Sequence, residues 1–274
     1  MSSGDIAFIG GGNMARSLIG GLVAQGRHPA SIRVAEPVAA LRDALHADFG
    51  VAVCDSGAAA VEGAGTWVLA TKPQVLREVC EALAGQARAA RPLVISIAAG
   101  ITTAQIARWL GDAGLPVVRT MPNTPALLGA GATGLFATAA VDGTARHFAE
   151  TLLAAAGTTV WIDDEARMDA VTAVSGSGPA YVFLLAEAMV AAGIEEGLPP
   201  DAARALALQT VLGAARMLTE SDVDAAELRR RVTSPGGTTQ AAIETFEAGG
   251  FRALVAAAIH AARVRGAALS AAND

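Results

Sequence analysis

Apolar residues fall in two different rhythms along this chain. In the first part, residues 6–9, 32–35, 66–70, 93–97 and 117–119 form short, largely apolar runs, so both faces of each segment call for burial. That is the pattern of parallel β-strands inside a sheet. Between them, residues 14–25, 38–47, 74–83 and 103–110 carry apolar positions at helical spacing. Repeated βα units predict an α/β fold, an N-terminal Rossmann-like doubly wound sheet. A further apolar run at 131–137, a helix at 143–156 and a strand at 158–162 complete that domain.

Past Asp163-Asp164 the strand pattern stops. Residues 167–197 read as one long helix, interrupted by Ser175-Gly176-Ser177-Gly178-Pro179. Further helices are predicted at 201–218, 225–231, 239–248 and 251–268. The predicted organisation is therefore a dinucleotide-binding domain at 1–163 and an all-α C-terminal domain at 164–274. Helices such as 180–192 and 255–268 are apolar around much of their circumference, so each needs cover on more than one side. A domain of this size offers little interior, and a second subunit is the expected cover: a homodimer at least.

Composition narrows the possible partners. The 274 residues are 53% hydrophobic and 17% charged, as in a packed globule. A net charge of −6 and only 4% aromatics argue against nucleic acid and anionic membranes as partners. Cys54 and Cys80 lack metal or disulfide spacing, so no metal is expected. The N-terminus has no basic leader, and the apolar stretch 180–194, broken by Glu187, is read as too short to span a bilayer. A cytoplasmic protein is expected.

Candidate chemistry begins at the first βα turn. Gly10-Gly11-Gly12-Asn13-Met14-Ala15 follows a strand and opens a helix, the G-x-G-x-x-A arrangement of dinucleotide binding. Gly10 permits the tight turn, Gly12 lets pyrophosphate approach, and Ala15 lets helix and sheet pack closely. Glu36 ends the next strand, 36 − 12 = 24 residues after Gly12, near the usual offset for an acid on the ribose 2′-hydroxyl. Such an acid leans toward NADH; a surface glutamate at a helix start is the alternative. Arg33 and Arg42 lie near enough to serve a 2′-phosphate instead. Ala70-Thr71-Lys72-Pro73, Ser96-Ile97-Ala98-Ala99-Gly100 and Arg119-Thr120-Met121-Pro122-Asn123-Thr124-Pro125 end the following strands, where ligands bind in this architecture. Lys72 there is read as a cofactor contact, an acid, or simply a solvated loop residue.

In the helical part, Ser175-Gly176-Ser177-Gly178-Pro179-Ala180-Tyr181 places glycines inside a helix, each costing roughly 1 kcal/mol against alanine. Close helix packing and substrate contact both explain that cost, and Tyr181 reads as a buried anchor. Val232-Thr233-Ser234-Pro235-Gly236-Gly237-Thr238-Thr239 reads as a loop running into a helix over 240–247, with Thr238 and Thr239 at its N-cap. Free amides and two hydroxyls there suit a small carboxylate.

These six motifs, in order over nearly the whole chain, closely resemble pyrroline-5-carboxylate reductase. The resemblance implies NADPH or NADH as cofactor, 1-pyrroline-5-carboxylate as substrate, and an interlocked dimer that in many members builds decamers. It implies that Gly10, Gly11, Gly12, Asn13, Met14 and Glu36 hold the cofactor, and that Ala70, Thr71, Lys72, Pro73, Ala98 and Asn123 line the nicotinamide pocket. Ser234, Gly236, Gly237, Thr238 and Thr239 would hold the substrate, with the Thr239 hydroxyl on the ring nitrogen as the catalytic contact. Val223-Asp224 and Arg230 stand where bacterial members commonly carry a His-Pro pair and an acid, which bears on the helix feeding the loop. Two rival readings are a β-hydroxyacid dehydrogenase and a non-catalytic nucleotide sensor. The first uses a helical lysine, and residues 164–274 contain none.

Overall fold

The computed structural model describes residues 4–272, which divide into two compact units. The first comprises residues up to 177 together with those from 262 onward; the second is 178–261.

The first unit is built on one eight-stranded sheet: β1 (Ile6–Ile9), β2 (Ile32–Ala35), β3 (Ala52–Cys54), β4 (Thr66–Leu69), β5 (Leu93–Ser96), β6 (Val117–Met121), β7 (Gly131–Ala137) and β8 (Gly157–Trp161). Their order is β3-β2-β1-β4-β5-β6-β7-β8, parallel as far as β6. β7 then turns back antiparallel to β6, with β8 parallel to it. Every residue of β1, β4 and β5 is buried, as consecutive apolar positions require.

Alternation along β1 feeds two cores. Ile6 and Phe8 pack with Leu18 and Ile19 of α1 (Asn13–Ala24) and Leu152 and Leu153 of α6 (Gly143–Ala154). Ala7 and Ile9 face the other layer, with Leu76 and Leu83 of α4 (Pro73–Ala90) and Ile106 of α5 (Thr103–Trp109). Two short elements escaped the sequence reading: strand β3 and the five-residue helix α3 (Gly57–Val61). Neither is long enough to show a period. Helix α2 (Ala39–Phe49) lies between β2 and β3 and ends at Gly50, whose φ is +69°.

The expected long helix after residue 163 is not uniform in its hydrogen bonding. A single 3₁₀ turn, Glu165–Arg167, leads into α7 (Met168–Val171), a π turn at Thr172–Gly176, and α8 (Gly178–Glu195). Ser177 N–H reaches back five residues to Thr172 C=O at 2.8 Å. The glycines predicted to interrupt the helix therefore widen it by one residue instead of breaking it. Gly176 is also held by packing, since a Cβ there would lie 2.5 Å from Met121 Cε.

In the second unit, α8 ends at Glu195, Gly197 follows in a turn with φ +94°, and Pro200 opens α9 (Pro200–Glu220). Helices α10 (Ala225–Arg231), α11 (Thr238–Ala248) and the start of α12 (Phe251–Ala272) follow. Their apolar side chains have little cover: Phe183 and Leu184 are each 66% exposed and Leu254 is 68% exposed. Tyr181 is only partly buried, not the buried anchor expected. The apolar run is also longer than the sequence reading allowed. Residues Glu165–Glu195 form one helical stretch of 31 residues that contains an 18-residue window of mean hydropathy 1.5, long and apolar enough to cross a bilayer on those two measures.

Candidate active site

Reversal of strand order at β1/β4 opens a crevice at the carboxyl ends of those strands. The glycine-rich turn sits there. Gly10 has φ +106°, and a Cβ on it would lie 2.7 Å from Ala70 O. A Cβ on Gly11 would meet Leu45 Cδ1 at 2.6 Å and Glu36 Oε2 at 3.2 Å. At Gly12 nothing lies within 4 Å, so the absent Cβ leaves open space beside the chain. Helix α1 starts there with Gly12 as N-cap and no side-chain cap, leaving first-turn amides free for an anion.

Glu36 is buried at 7% exposure, which excludes the alternative of an exposed glutamate at a helix start. Its Oε2 accepts from Gly11 N–H at 3.1 Å and its Oε1 from Val38 N–H at 3.0 Å. Arg42 donates through Nη1 to the carbonyls of Glu36 and Pro37, each at 2.8 Å. The acid that follows β2 thus shapes the glycine turn through the two hydrogen bonds that it accepts.

Across the crevice, Thr71 Oγ1 is buried without a hydrogen-bond partner. Lys72 is the exposed N-cap of α4, with Pro73 at the first helical position. An orphaned hydroxyl, an uncapped helix start and the gap at Gly12 together fit a dinucleotide. Ala98 is 3% exposed at the end of β5. Asn123 is occupied on both sides of its amide: Nδ2 donates to Ser175 C=O and Oδ1 accepts from Ala132 N–H, both at 2.9 Å. Its place at the end of β6 matches the expectation, but its amide braces the π turn.

One cluster was not anticipated. Arg119, 5% exposed on β6, directs Nη1 to Glu165 (3.3 Å) and Nη2 to Asp169 (3.5 Å). Glu165 also accepts from Thr103 N–H and Oγ1–H, each at 2.7 Å. The available signal was an arginine inside the apolar strand Val117-Val118-Arg119, since a buried cation demands an acid somewhere.

Ser234, Gly236, Gly237, Thr238 and Thr239 form a separate group in the second unit. Gly237 N–H donates to Ser234 C=O at 3.0 Å across Pro235 and Gly236, and Gly236 has φ +69°. That sign and sequence mark a type II turn. Helix α11 then begins at Thr238 with Gly237 as N-cap, so Thr238 and Thr239 are its first two residues, not its cap as expected. No side chain caps it, leaving the first-turn amides as donors. Gln240 Oε1 steadies the loop by accepting from Gly236 N–H at 2.7 Å. The atypical stretch upstream is well formed: Asp224 caps α10 through Glu227 N–H at 2.8 Å, and Glu227 pairs with Arg230 and Arg231. The four histidines are absent from both groups.

Comparison with known proteins places these features in a family. Residues 5–100 match the family described as NADP oxidoreductase coenzyme F420-dependent, and residues 165–269 match pyrroline-5-carboxylate reductase dimerisation. The pyrroline-5-carboxylate reductase of Pseudomonas aeruginosa is 54% identical, over 98% of both chains. Among solved structures, the pyrroline-5-carboxylate reductase of Coxiella burnetii superposes with a TM-score of 0.94 at 42% identity, covering 98% of this chain and 99% of that one. The Plasmodium falciparum pyrroline carboxylate reductase, solved with NADP bound, gives 0.84 at 26% identity over 98% and 99%. With 54% identity over 98% of its length, this chain belongs to the pyrroline-5-carboxylate reductase family.

Proposed function

We propose the following division of labour for a reaction that family membership assigns: NAD(P)H-dependent reduction of 1-pyrroline-5-carboxylate to L-proline, the last step of proline biosynthesis. The substrate is a cyclic imine bearing one carboxylate, and reduction delivers hydride to the imine carbon and leaves a proton on nitrogen. A bound reduced nicotinamide supplies that hydride. The protein's part is to bind, orient and exclude water.

At the crevice, the amides following Gly12 bind pyrophosphate, Gly10 and Gly11 shape the turn, and Asn13 and Met14 supply its first helical residues. Glu36 faces the adenosine ribose. Ala70, Thr71, Lys72, Pro73, Ala98 and Asn123 form the wall toward the nicotinamide, Asn123 by bracing it. In the second unit, Ser234 and the first-turn amides of Thr238 and Thr239 bind the substrate carboxylate, and Gly236 and Gly237 shape the turn that presents them. The Thr239 hydroxyl accepts a hydrogen bond from the protonated ring nitrogen and so orients the imine carbon. The observation that carries this reading is the start of α11 behind the Ser234–Gly237 turn, whose first-turn amides no side chain caps.

By this reading residues 1–163 are the dinucleotide-binding domain and 164–274 the helical substrate-binding and dimerisation domain. The start of the dimerisation match at residue 165 supports that boundary. The chain is oligomeric. The exposed apolar faces of α8 and α12 are covered by a second copy, in a homodimer that also builds decamers, and the protein is cytoplasmic with no nucleic-acid or membrane partner. A two-subunit cover accounts for the apolar stretch Glu165–Glu195 without a bilayer.

Consumption of NADH or NADPH on adding 1-pyrroline-5-carboxylate, with no formation of NADH or NADPH from the oxidised cofactor on adding 3-hydroxy acids, tests the activity. Cofactor binding without turnover would leave a sensor. Light scattering at micromolar concentration tests the assembly: at least twice the 27.4 kDa chain mass is expected, and 27.4 kDa itself would contradict it.

A further inference from the structure

The buried Arg119 cluster is not used by any step above, yet it stands directly behind the proposed nicotinamide wall. Arg119 lies on β6 just before Met121-Pro122-Asn123, and Thr103 follows just after the loop Ser96–Gly100. Glu165 joins the two: one carboxylate takes both donors of Thr103 and also faces Arg119. Asp169, one helical turn on, takes the other arm of the guanidinium at 3.5 Å. The planar fork of arginine reaches two carboxylates at once, which a lysine ammonium does not do in the same geometry. Farther along the same helical stretch, Asn123 holds Ser175 C=O and Gly176 packs on Met121. The start of α5, the end of β6 and the root of the helical run are thereby fixed relative to one another.

We propose that Arg119 is a positioning residue for hydride transfer: through Glu165 and Asp169 it sets the spacing of the two loops, 96–100 and 121–123, between which the nicotinamide ring is held. A buried ion pair adds little stability over a well-packed apolar replacement, whereas it does impose one arrangement on its neighbours. Arg119 therefore acts on ring placement and not on cofactor capture, which the Gly10–Met14 turn performs. This inference rests on the reading of the crevice as the cofactor site.

The test uses full-length Arg119→Met, Arg119→Lys and Glu165→Gln, with Asp169→Asn as a further variant should the Arg119 changes fail to fold. Fluorescence titration with NADH gives cofactor affinity and the emission of the bound ring; turnover with NADH and with 4-deuterated NADH gives kcat and its isotope effect. Arg119→Met is expected to lower kcat by about tenfold. NADH affinity stays within about threefold, the isotope effect on kcat rises as hydride transfer slows, and bound-NADH emission changes. Glu165→Gln shows the same signs more weakly, and Arg119→Lys falls between wild type and Arg119→Met. A lowered melting temperature with kcat, isotope effect and bound-NADH emission all unchanged would make the cluster a stabilising ion pair only and overturn the proposal. An inactive wild type would refute the assigned reaction instead, and the emission of bound NADH would still decide this point.

Discussion

Three adjacent glycines should fail in three different ways when given a side chain. Gly10→Ala places a Cβ 2.7 Å from Ala70 O at φ +106°, a backbone region costly to any L-residue. Strain of about 1–3 kcal/mol, before the overlap is counted, should lower folding stability. Gly11→Ala drives Cβ to 2.6 Å from Leu45 Cδ1, the tip of a flexible side chain, and to 3.2 Å from Glu36 Oε2. A smaller loss is expected there, as Leu45 changes rotamer. Gly12→Val meets nothing within 4 Å and keeps an ordinary extended backbone, φ −68° and ψ −179°. Its folding cost is the poorer N-cap, about 1 kcal/mol. Its side chain nevertheless fills the space proposed for pyrophosphate. Losing two charge-assisted hydrogen bonds at roughly 1.5–3 kcal/mol each weakens NADH binding by about two to four orders of magnitude. Thermal melts beside NADH fluorescence titrations separate the cases. A folded Gly12→Val protein binding NADH within about tenfold of wild type would refute the placement of the pyrophosphate.

Other substitutions probe the remaining parts of the account. Ser234→Ala should reduce kcat/KM for 1-pyrroline-5-carboxylate by about ten- to a hundredfold and leave NADH affinity alone; an unchanged kcat/KM removes Ser234 from the site. Thr239→Val keeps shape and deletes the hydroxyl, so kcat should fall; a rise in KM alone would limit Thr239 to binding. Glu36→Ser should shift the ratio of kcat/KM values toward NADPH and also lower the melting temperature, because Gly11 and Val38 N–H lose their acceptor; a stable variant with unmoved preference would contradict both roles. Burial, with Glu81 nearby, pushes the Cys80 thiol up to about 12, so at pH 8 a thiol reagent should modify Cys54 and spare Cys80 in the native protein.

What could be read from the sequence was what repeats or what stands out chemically. Strands β1, β2 and β7 were legible to the residue because short, largely apolar runs have sharp edges. β3 was not, because a three-residue edge strand with an exposed Ala52 carries no period. The reversal at β7 was equally hidden, since strand direction leaves no mark on composition. At the site, glycine spacing identified the dinucleotide turn, while the two bonds of Glu36 to Gly11 and Val38 depend on how β2 meets that turn in three dimensions. The N-cap of α11 was misplaced by one to two residues because Gly237, Thr238 and Thr239 are all acceptable caps, and the turn closed by Gly237 N–H decides among them. The Arg119 cluster joins residues 62 positions apart in the case of Thr103 and Glu165, a pairing no local pattern reveals.

In the proposed mechanism hydride passes from a nicotinamide bound at the β1/β4 crevice to the imine carbon of the substrate. Turnover of 1-pyrroline-5-carboxylate with NADH deuterated on the transferred face of C4, with proline analysed by mass spectrometry and NMR, tests it directly. Proline carrying one deuterium, on C5, the former imine carbon, is the expected product. Cofactor oxidation that yields no proline, or proline with deuterium elsewhere or none from either face, would contradict it.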